Sequence, residues 1–310
     1  MRIVISEFMD ERAVAQLKAR HDVLYDANLQ KDAARLAAEA ANCEALIVRN
    51  LTQVRGDLLA ALASSGRCKV VGRLGVGLDN IDVPGCEAKG MLVIPATGAN
   101  ALSVAEYVIA SAMLLLRGAY ASTADVAAGK WPRAALSNGR ETAGKTLGII
   151  GFGSIGQLSA KLAQGLGMQV QAFDAMLKPD AAVFAKTRVR FVALDALIAS
   201  SDVITLHVPL VDGTRGLFNA ERIPSMKKGA VLINTSRGHI VDVAAVAASL
   251  KAGHLGGAAL DVFDVEPMPA APDFADCPNL ILTPHISGVS AESNERVSFL
   301  IAEKVLEALH

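Results

Sequence analysis

The chain has 310 residues, of which 52% are hydrophobic and 20% are charged, so it is long enough to form two globular domains. Its 30 basic and 31 acidic residues leave a net charge of −1, with no basic surplus for nucleic acid or an anionic membrane. The longest apolar stretch, around 107–116, is about half of the roughly 20 residues that a membrane span needs. We therefore expect neither a nucleic-acid partner nor a membrane partner.

The cysteines are scattered along the chain and form no C-x-x-C pair; they are Cys43, Cys68, Cys86 and Cys277. Their spacing argues against a zinc site and against a disulfide framework. Unpaired thiols fit a reducing compartment. The N-terminus has the character of a first strand followed by acids, and lacks the long apolar region of a signal peptide. We expect a cytoplasmic protein without a bound metal.

Short β-branched runs alternate with Ala-rich helical segments. A first series of strands is predicted over 2–6, 22–25, 44–48, 69–74 and 91–95. A second series is predicted over 146–151, 169–174, 202–208, 230–235, 257–263 and 279–284. Strands that are apolar throughout indicate parallel sheets covered by helices on both faces. The sequence therefore predicts an α/β chain with two doubly wound parallel sheets.

Two helical segments lie outside these series. A long one over 99–128 separates the two series, and a last one over 291–309 follows the second. The last segment is too short for a domain, so we expect it to pack on the first sheet. The predicted organisation is a discontinuous domain over 1–98 and 285–310, with a second domain over 99–284.

A glycine turn in the second series is the most specific motif. Gly151, Gly153 and Gly156 form G-x-G-x-x-G between a predicted strand and a predicted helix. The first glycine permits a tight turn, the second lets a pyrophosphate approach, and the third lets the helix pack closely. Asp174, which ends the next strand, would accept hydrogen bonds from a ribose and repel a 2′-phosphate, which predicts NAD rather than NADP. A glycine turn that binds no nucleotide is the alternative. Lys178 lies close enough to Asp174 in the sequence to weaken the discrimination between NAD and NADP.

Three polar residues follow predicted strands of the second series. Arg237 lies in "INTSRGHIVD", Glu266 in "ALDVFDVEPMP" and His285 in "LTPHISG". The carboxyl ends of strands in an open parallel sheet form the ligand crevice, so we expect these side chains to converge. Taken singly, each has a simpler explanation, as a surface charge, a turn residue or a structural histidine.

Seven segments together resemble the D-isomer-specific 2-hydroxyacid dehydrogenases of the 3-phosphoglycerate dehydrogenase type. They are "GRLGVGLDNID" (72–82), "TGANALSVAEY" (97–107), "GKTLGIIGFGSIG" (144–156), "LHVPLVDGTRGLFN" (206–219), "LINTSRG" (232–238), "DVFDVEP" (261–267) and "TPHISG" (283–288). The resemblance covers nearly the whole chain. It implies a flavodoxin-like substrate domain, a Rossmann NAD domain and an active-site cleft between them. It also implies reversible hydride transfer between NAD(H) and C2 of a small 2-hydroxy or 2-keto acid, and a homodimer formed through 99–128.

The resemblance assigns roles residue by residue. His285 would be the acid/base for the substrate oxygen, Glu266 would orient it, and Arg237 would grip the substrate carboxylate. Val76 and Gly77 would give backbone N–H groups to the same carboxylate. Further cofactor contacts would come from Val104, Ser154, Ile155, His207, Pro209, Thr214, Thr235, Asp261 and Gly288.

Substrate specificity is expected from the first domain. Arg49 and Asn50 follow a predicted strand, and Arg49 is a candidate ligand for a second anion at the far end of the substrate. Segments such as "VISEFMDE" are similar to those of (S)-sulfolactate dehydrogenases, which makes (S)-sulfolactate and 3-sulfopyruvate the leading substrate pair. The alternatives are 3-phosphoglycerate, glyoxylate or hydroxypyruvate, and phosphite. Arg49 as an ordinary surface charge also stays open.

Two competing functions are less favoured. Formate dehydrogenases share the fold but carry Gln where Glu266 stands. A non-catalytic NAD(H)-binding regulator would have no need of Arg237, Glu266 and His285 together. His239 departs from the small or acidic residue expected at its position, and the sequence does not decide its role.

Overall fold

The computed structural model describes residues 1–310, as alternating strands and helices. The strands are β1 (Arg2–Ile5), β2 (Asp22–Tyr25), β3 (Ala45–Val48), β4 (Val70–Arg73), β5 (Leu92–Pro95), β6 (Thr146–Ile150), β7 (Gln169–Phe173), β8 (Arg190–Phe191), β9 (Val203–Leu206), β10 (Val231–Asn234), β11 (Gly257–Leu260) and β12 (Leu280–Leu282). The helices are α1 (Glu11–Lys18), α2 (Ala33–Ala40), α3 (Gly56–Ser64), α4 (Val83–Ala88), α5 (Ala101–Arg117), α6 (Thr123–Ala127), α7 (Ser154–Gly165), α8 (Ala182–Thr187), α9 (Leu194–Ser200), α10 (Val243–Lys251) and α11 (Ala291–Ala308).

The chain divides into two compact units. The first comprises Met1–Asn100 and Val289–His310, and the second comprises Ala101–Gly288. These divisions fall a few residues after the predicted boundaries at 98/99 and 284/285. All strand pairs in both units are parallel, which confirms the predicted α/β class.

The first unit is built on a sheet of order β2-β1-β3-β4-β5. This is the flavodoxin-like order. The helix α11 returns to this sheet, as predicted, and buries Ile301 and Val305 among its strands. Gly72 in β4 makes room for the helix, because a Cβ at that position would lie 2.9 Å from a methyl carbon of Ile301. The C-terminal helix is therefore part of the core of the first unit.

The second unit is built on a sheet of order β12-β11-β10-β9-β6-β7-β8. The strand order reverses between β6 and β9, which in open α/β sheets marks the ligand-binding crevice. Buried residues of α5 and α7 pack with Leu147 and Ile149 on one face. Leu197 of α9 and Val246 of α10 pack in a separate cluster that contains Ile204. The edge strand β8 was not predicted, since two residues are too few to show an apolar pattern.

The predicted helix over 99–128 is broken. The first part, α5, ends at Arg117, and Gly118 follows it in the left-handed conformation with φ of 67°. A glycine just past a helix end is a common terminator, since it adopts this conformation without a steric penalty. A short 3-10 helix and α6 then complete the segment. No single helix is long and apolar enough to cross a membrane, and this segment meets that test only as a pair bent by 69°.

Candidate active site

The glycine turn joins β6 to α7 where the strand order of the second sheet reverses. Gly151 has φ of 95°, and a Cβ there would lie 2.3 Å from the carbonyl oxygen of His207. A Cβ at Gly156 would lie 2.4 Å from the carbonyl oxygen of Gly151. Gly153 is different, because a Cβ there would meet nothing within 4 Å. The packing of the protein requires the first and third glycines, and the open space at the second fits an approaching pyrophosphate.

Asp174 lies just after β7 and is bonded to the glycine turn. Its carboxylate accepts hydrogen bonds from the backbone N–H groups of Phe152 and Met176, each at 2.8 Å. Each carboxylate oxygen keeps a lone pair for a ribose hydroxyl. Lys178 is exposed and forms no ion pair with Asp174. The negative charge beside the turn is therefore not neutralised, which fits NAD rather than a 2′-phosphorylated dinucleotide.

Two further predicted cofactor residues have polar groups suited to a ligand. The hydroxyl of Thr235 is buried and has no hydrogen-bond partner within the protein, which is costly unless a ligand supplies one. His207 contacts the Thr205 hydroxyl through its Nε2, at 3.1 Å. Burial lowers the pKa of His207 to about 3, so its ring is neutral at physiological pH.

The other predicted cofactor residues differ in exposure. Ser154 lies exposed in the first turn of α7, while Ile155 packs partly against the core. Thr214 closes the loop after β9 by donating to the carbonyl oxygen of Pro209 at 2.6 Å. The side chain of Val104 is only 4% exposed and belongs to the hydrophobic core, so any cofactor contact there would involve little of its surface. Gly288 is the last residue of the second unit.

His285 and Glu266 form a hydrogen-bonded pair. The Nδ1 of His285 lies 2.7 Å from Oε2 of Glu266, and the two side chains are 51% and 36% exposed. The other carboxylate oxygen, Oε1, accepts from the backbone N–H of Phe263 at 2.9 Å. One oxygen therefore anchors Glu266, the other holds the imidazole, and Nε2 of His285 is left for a substrate.

The backbone of His285 is held in a strained conformation. Its φ is 52°, a left-handed value that non-glycine residues rarely adopt. Asp261 is fully buried, and its carboxylate accepts from the N–H groups of Ile286 and Ser287 at 2.8 and 2.9 Å. The carbonyl oxygen of Asp261 also accepts from the N–H of His285 at 2.8 Å. Asp261, predicted to contact the cofactor, thus braces the turn that carries His285, a role that the sequence did not reveal.

Arg237 follows β10 and is partly buried. Its guanidinium donates to the carbonyl oxygen of Ser236 at 2.6 Å. Its own carbonyl oxygen accepts from the side-chain amide of Asn234 at 2.9 Å. The backbone on both sides of Arg237 is therefore fixed, and its planar fork is suited to a carboxylate.

Gly238 brings the Arg237 segment against the loop that carries Glu266. A Cβ at Gly238 would lie 2.0 Å from the carbonyl carbon of Phe263. Phe263 in turn donates to Glu266. The structure thereby places the predicted catalytic residues on adjoining loops at the carboxyl ends of β10, β11 and β12.

His239 lies beside a second acid. Its Nδ1 is 3.6 Å from Oδ1 of Asp264, and both side chains are exposed. This contact is an ion pair only when the imidazole is protonated. No group of three or more His, Cys, Asp or Glu side chains is arranged to hold a metal ion.

In the first unit, Glu7 fixes the loop after β3. This buried carboxylate accepts from the N–H groups of Arg49, Leu51 and Thr52 at 2.8, 3.0 and 2.9 Å. The amide of Asn80 donates to the carbonyl oxygens of Arg49 and Thr52 at 3.0 and 2.7 Å. Glu7 and Asn80 could not be predicted as supports, because both bond to backbone groups that are distant in the sequence.

The side chain of Arg49 is a partly buried cation that forms no salt bridge, although the charge of Glu7 acts on it from nearby. It donates to the amide oxygen of Asn294 at 2.6 Å and stacks over Phe8, with its Cζ 5.8 Å from the ring centroid. Burial lowers the pKa of Arg49, but a guanidinium remains protonated in proteins. A positive charge in this setting favours an anionic ligand. Asn50, next to it, is exposed.

Val76 and Gly77 lie in the loop after β4, where Val76 is exposed and Gly77 is partly buried. The neighbouring Gly75 is tied to β5 by a hydrogen bond from Ala96 to its carbonyl oxygen, at 2.8 Å. The N–H groups of Val76 and Gly77 make no hydrogen bond of this kind. Two successive free N–H groups form a suitable donor site for a carboxylate.

Gly238→Ala should destabilise the second unit by roughly 1–3 kcal/mol, because the added methyl group overlaps the backbone of Phe263. Gly165→Ala is a matched control, since nothing lies within 4 Å of its Cβ position at the end of α7. We expect little change or a slight gain for the control. Chemical denaturation followed by circular dichroism measures both, and equal midpoints for the two variants would contradict the close approach.

Comparison with known proteins places this geometry in a family. Residues 109–287 match the family model described as D-isomer specific 2-hydroxyacid dehydrogenase, NAD binding domain. The chain is 51% identical over 307 residues to the (S)-sulfolactate dehydrogenase of Chromohalobacter salexigens, covering 99% of this chain and 98% of that protein. It is 36% identical to the hydroxypyruvate reductase of Thermotoga maritima, covering 99% and 98% of the two chains. The D-3-phosphoglycerate dehydrogenase of Bacillus subtilis is 40% identical over 90% of this chain, which spans 52% of that longer protein.

Solved structures agree in fold. The TT0316 protein of Thermus thermophilus superposes with a TM-score of 0.88 at 30% identity, covering 100% of this chain and 97% of that one. An NAD-dependent formate dehydrogenase of Staphylococcus aureus, solved with NAD, superposes with a TM-score of 0.80 at 28% identity, covering 100% and 95%. Together with the glycine turn, Asp174 and the His285–Glu266 pair, these likenesses confirm the predicted family and cofactor. The chain belongs to the D-isomer specific 2-hydroxyacid dehydrogenase family and is an NAD-dependent 2-hydroxyacid dehydrogenase.

Proposed function

We propose that this enzyme interconverts (S)-sulfolactate and 3-sulfopyruvate, a substrate pair with a carboxylate at one end and a sulfonate at the other. The observation that carries the proposal is Arg49, a partly buried cation that forms no salt bridge in the protein. The 51% identical relative is named (S)-sulfolactate dehydrogenase, which supports the sulfonate as the second anion.

In this proposal the two anionic groups of the substrate have separate ligands. Arg49 binds the sulfonate, with its guanidinium steadied by Phe8 and Asn294. The N–H groups of Val76 and Gly77 bind the carboxylate. Arg237 also binds the carboxylate and polarises the C2–O bond, because its fork can donate two parallel hydrogen bonds.

His285 moves the proton of the substrate oxygen. When bound at the glycine turn and Asp174, NAD(H) would supply the hydride acceptor for oxidation of the hydroxy acid at C2 and the hydride donor for reduction of the keto acid. During oxidation Nε2 of His285 takes the hydroxyl proton, and during reduction it gives that proton back. Glu266 keeps the imidazole oriented through Nδ1 and stabilises the imidazolium that forms. The complete pair favours an enzyme over a non-catalytic NAD(H)-binding regulator.

His285→Ala should lower kcat by roughly 10²- to 10⁴-fold, the usual contribution of a general acid/base. His239→Ala is the matched control, because it also removes an exposed imidazole that lies beside a carboxylate. We expect the control to keep a kcat near that of the wild type. Steady-state kinetics with NADH and a keto acid measures both variants, and a near-normal kcat in His285→Ala would remove this residue from the acid/base role.

The substrate is tested by NADH oxidation with 3-sulfopyruvate, 3-phosphohydroxypyruvate, hydroxypyruvate and glyoxylate, and by NAD reduction with phosphite. We expect a strong preference for 3-sulfopyruvate. 3-Phosphohydroxypyruvate is the second candidate, since Arg49 would also bind a phosphate and a 40% identical relative is a D-3-phosphoglycerate dehydrogenase. Arg49→Ala should raise the KM for the preferred doubly anionic acid by roughly 10- to 100-fold, as expected for a lost charge-assisted hydrogen bond.

Glyoxylate serves as the internal control for Arg49, because it has no second anion. Its KM should change little in Arg49→Ala, and Arg49→Lys should restore part of the binding of the doubly anionic acid. A wild type that prefers glyoxylate or hydroxypyruvate would make Arg49 a bystander. Oxidation of phosphite as the main activity would overturn the proposed substrate class.

We further propose that the enzyme is a cytoplasmic homodimer that associates through the segment over 99–128. This segment exposes large apolar side chains, namely Leu102, Met113, Leu114, Tyr120 and Val126. The four cysteines of the protein are all free, which suits a reducing compartment such as the cytoplasm. Recovery outside the cytoplasmic fraction of its source cells would contradict the location.

Sedimentation velocity at micromolar concentration should give twice the chain mass of 32.3 kDa. Leu114→Glu should shift the protein towards the monomer, because it places a charge on the proposed interface. Leu92→Glu is a matched control, since Leu92 is an exposed leucine outside the segment. A wild type that sediments as a monomer would contradict the dimer.

A further inference from the structure

A relay of hydrogen bonds runs from α5 to the turn that carries His285. The hydroxyl of Tyr107 lies 2.7 Å from the hydroxyl oxygen of Thr283. The Thr283 hydroxyl donates to Oδ1 of Asp261 at 2.6 Å. Tyr107 and Thr283 are 176 residues apart in the sequence, so only the fold brings them together.

The hydrogen bonds of this relay have a fixed donor-to-acceptor direction. The Asp261 carboxylate is acceptor-only when ionised, so the single proton of the Thr283 hydroxyl points to it. Thr283 must then accept from Tyr107, whose phenol is the donor. Burial raises the pKa of Tyr107, which keeps the phenol protonated. Bonds aligned in this way polarise one another.

The relay ends on the oxygen atoms of Asp261, which hold the turn that carries His285. Oδ1 of Asp261 accepts from both Thr283 and the N–H of Ile286, and Oδ2 accepts from the N–H of Ser287. These bonds fix the two residues after His285, whose own φ of 52° is unfavourable. If the Asp261 carboxylate rotated, the turn would lose the acceptors that keep His285 beside Glu266.

We propose that Tyr107 and Thr283 are positioning residues, which lock the Asp261 carboxylate and thereby aim the imidazole of His285. The inference rests on the proposed acid/base role of His285 and extends it to two residues outside the catalytic set. Tyr107 forms no hydrogen bond with His285 or Glu266, so it acts through Thr283 and Asp261.

The first test is kinetic. Thr283→Val should lower kcat by roughly 10- to 100-fold, since it removes a charge-assisted bond to Asp261. Tyr107→Phe should lower kcat by roughly 3- to 10-fold, with the KM for the keto acid little changed. In the Thr283→Val background, Tyr107→Phe should change kcat by less than about 2-fold, because the hydrogen bond from Thr283 to Asp261 is already lost.

Tyr25→Phe is the matched control. The Tyr25 hydroxyl is also partly buried and donates to the carbonyl oxygen of Met9 at 3.1 Å, in the first unit. It should lower the melting temperature about as much as Tyr107→Phe does, without lowering kcat. Equal kcat values for Tyr107→Phe and the wild type, or fully additive effects in the double variant, would overturn the relay.

The second test does not depend on the substrate. Long-range ¹H–¹⁵N NMR of histidine-labelled protein reports which nitrogen of His285 carries the proton, with the resonance assigned by its loss in His285→Ala. The neutral imidazole should carry its proton on Nδ1 in the wild type and in Tyr25→Phe. In Tyr107→Phe and Thr283→Val the population should shift towards the Nε2–H form of a free imidazole.

The two tests separate the failure of the relay from the failure of the proposed function. An active wild type whose kcat and tautomer are both unchanged in Tyr107→Phe and Thr283→Val would overturn the relay alone. A wild type that turns over no keto acid would overturn the proposed function. The tautomer shift would then still support, or its absence would overturn, the control of His285 by Tyr107.

Discussion

The site depends on the hydrogen bonds of one buried carboxylate, that of Asp261. Its oxygens take the N–H groups of the two residues after His285, and a left-handed non-glycine residue costs roughly 1–3 kcal/mol unless its surroundings impose it. The dependence is mutual, because a fully buried carboxylate is costly unless it is hydrogen-bonded. The turn and the carboxylate each satisfy the other, so His285 stays in place without a ligand.

Carboxylates also accept backbone N–H groups at other loops that follow parallel strands. Glu7 accepts three N–H groups of the loop after β3, and Asp174 accepts the N–H of Phe152 in the glycine turn. Where a strand ends, its backbone leaves the ladder, and the freed N–H groups need another acceptor. A carboxylate from a neighbouring strand end supplies one. The carboxylates thereby make rigid the loops that carry predicted site residues.

The sequence revealed what is encoded locally and missed what depends on long-range contact. Long apolar strands, the glycine turn and the family motifs are contiguous, so the sheets, NAD and the reaction class were predicted correctly. The two-residue strand β8 and the break at Gly118 were missed, because the first is too short for a pattern and the second lies within an otherwise Ala- and Leu-rich run. The supports Glu7 and Tyr107 could not be predicted, since their partners lie 42 or more residues away in the sequence.

In the proposed function, the chemistry and the substrate preference have different physical origins. His285, Glu266 and Arg237 belong to the second unit, and in that proposal they act on the C2 oxygen and carboxylate that all 2-hydroxy acids share. They cannot distinguish one such acid from another by its far end. Arg49 belongs to the first unit, where the Glu7 brace, Phe8 and Asn294 hold its charge in one place. In the proposed function, this fixed cation favours a second anion on the substrate, whereas the three residues of the second unit act on the part that all 2-hydroxy acids share.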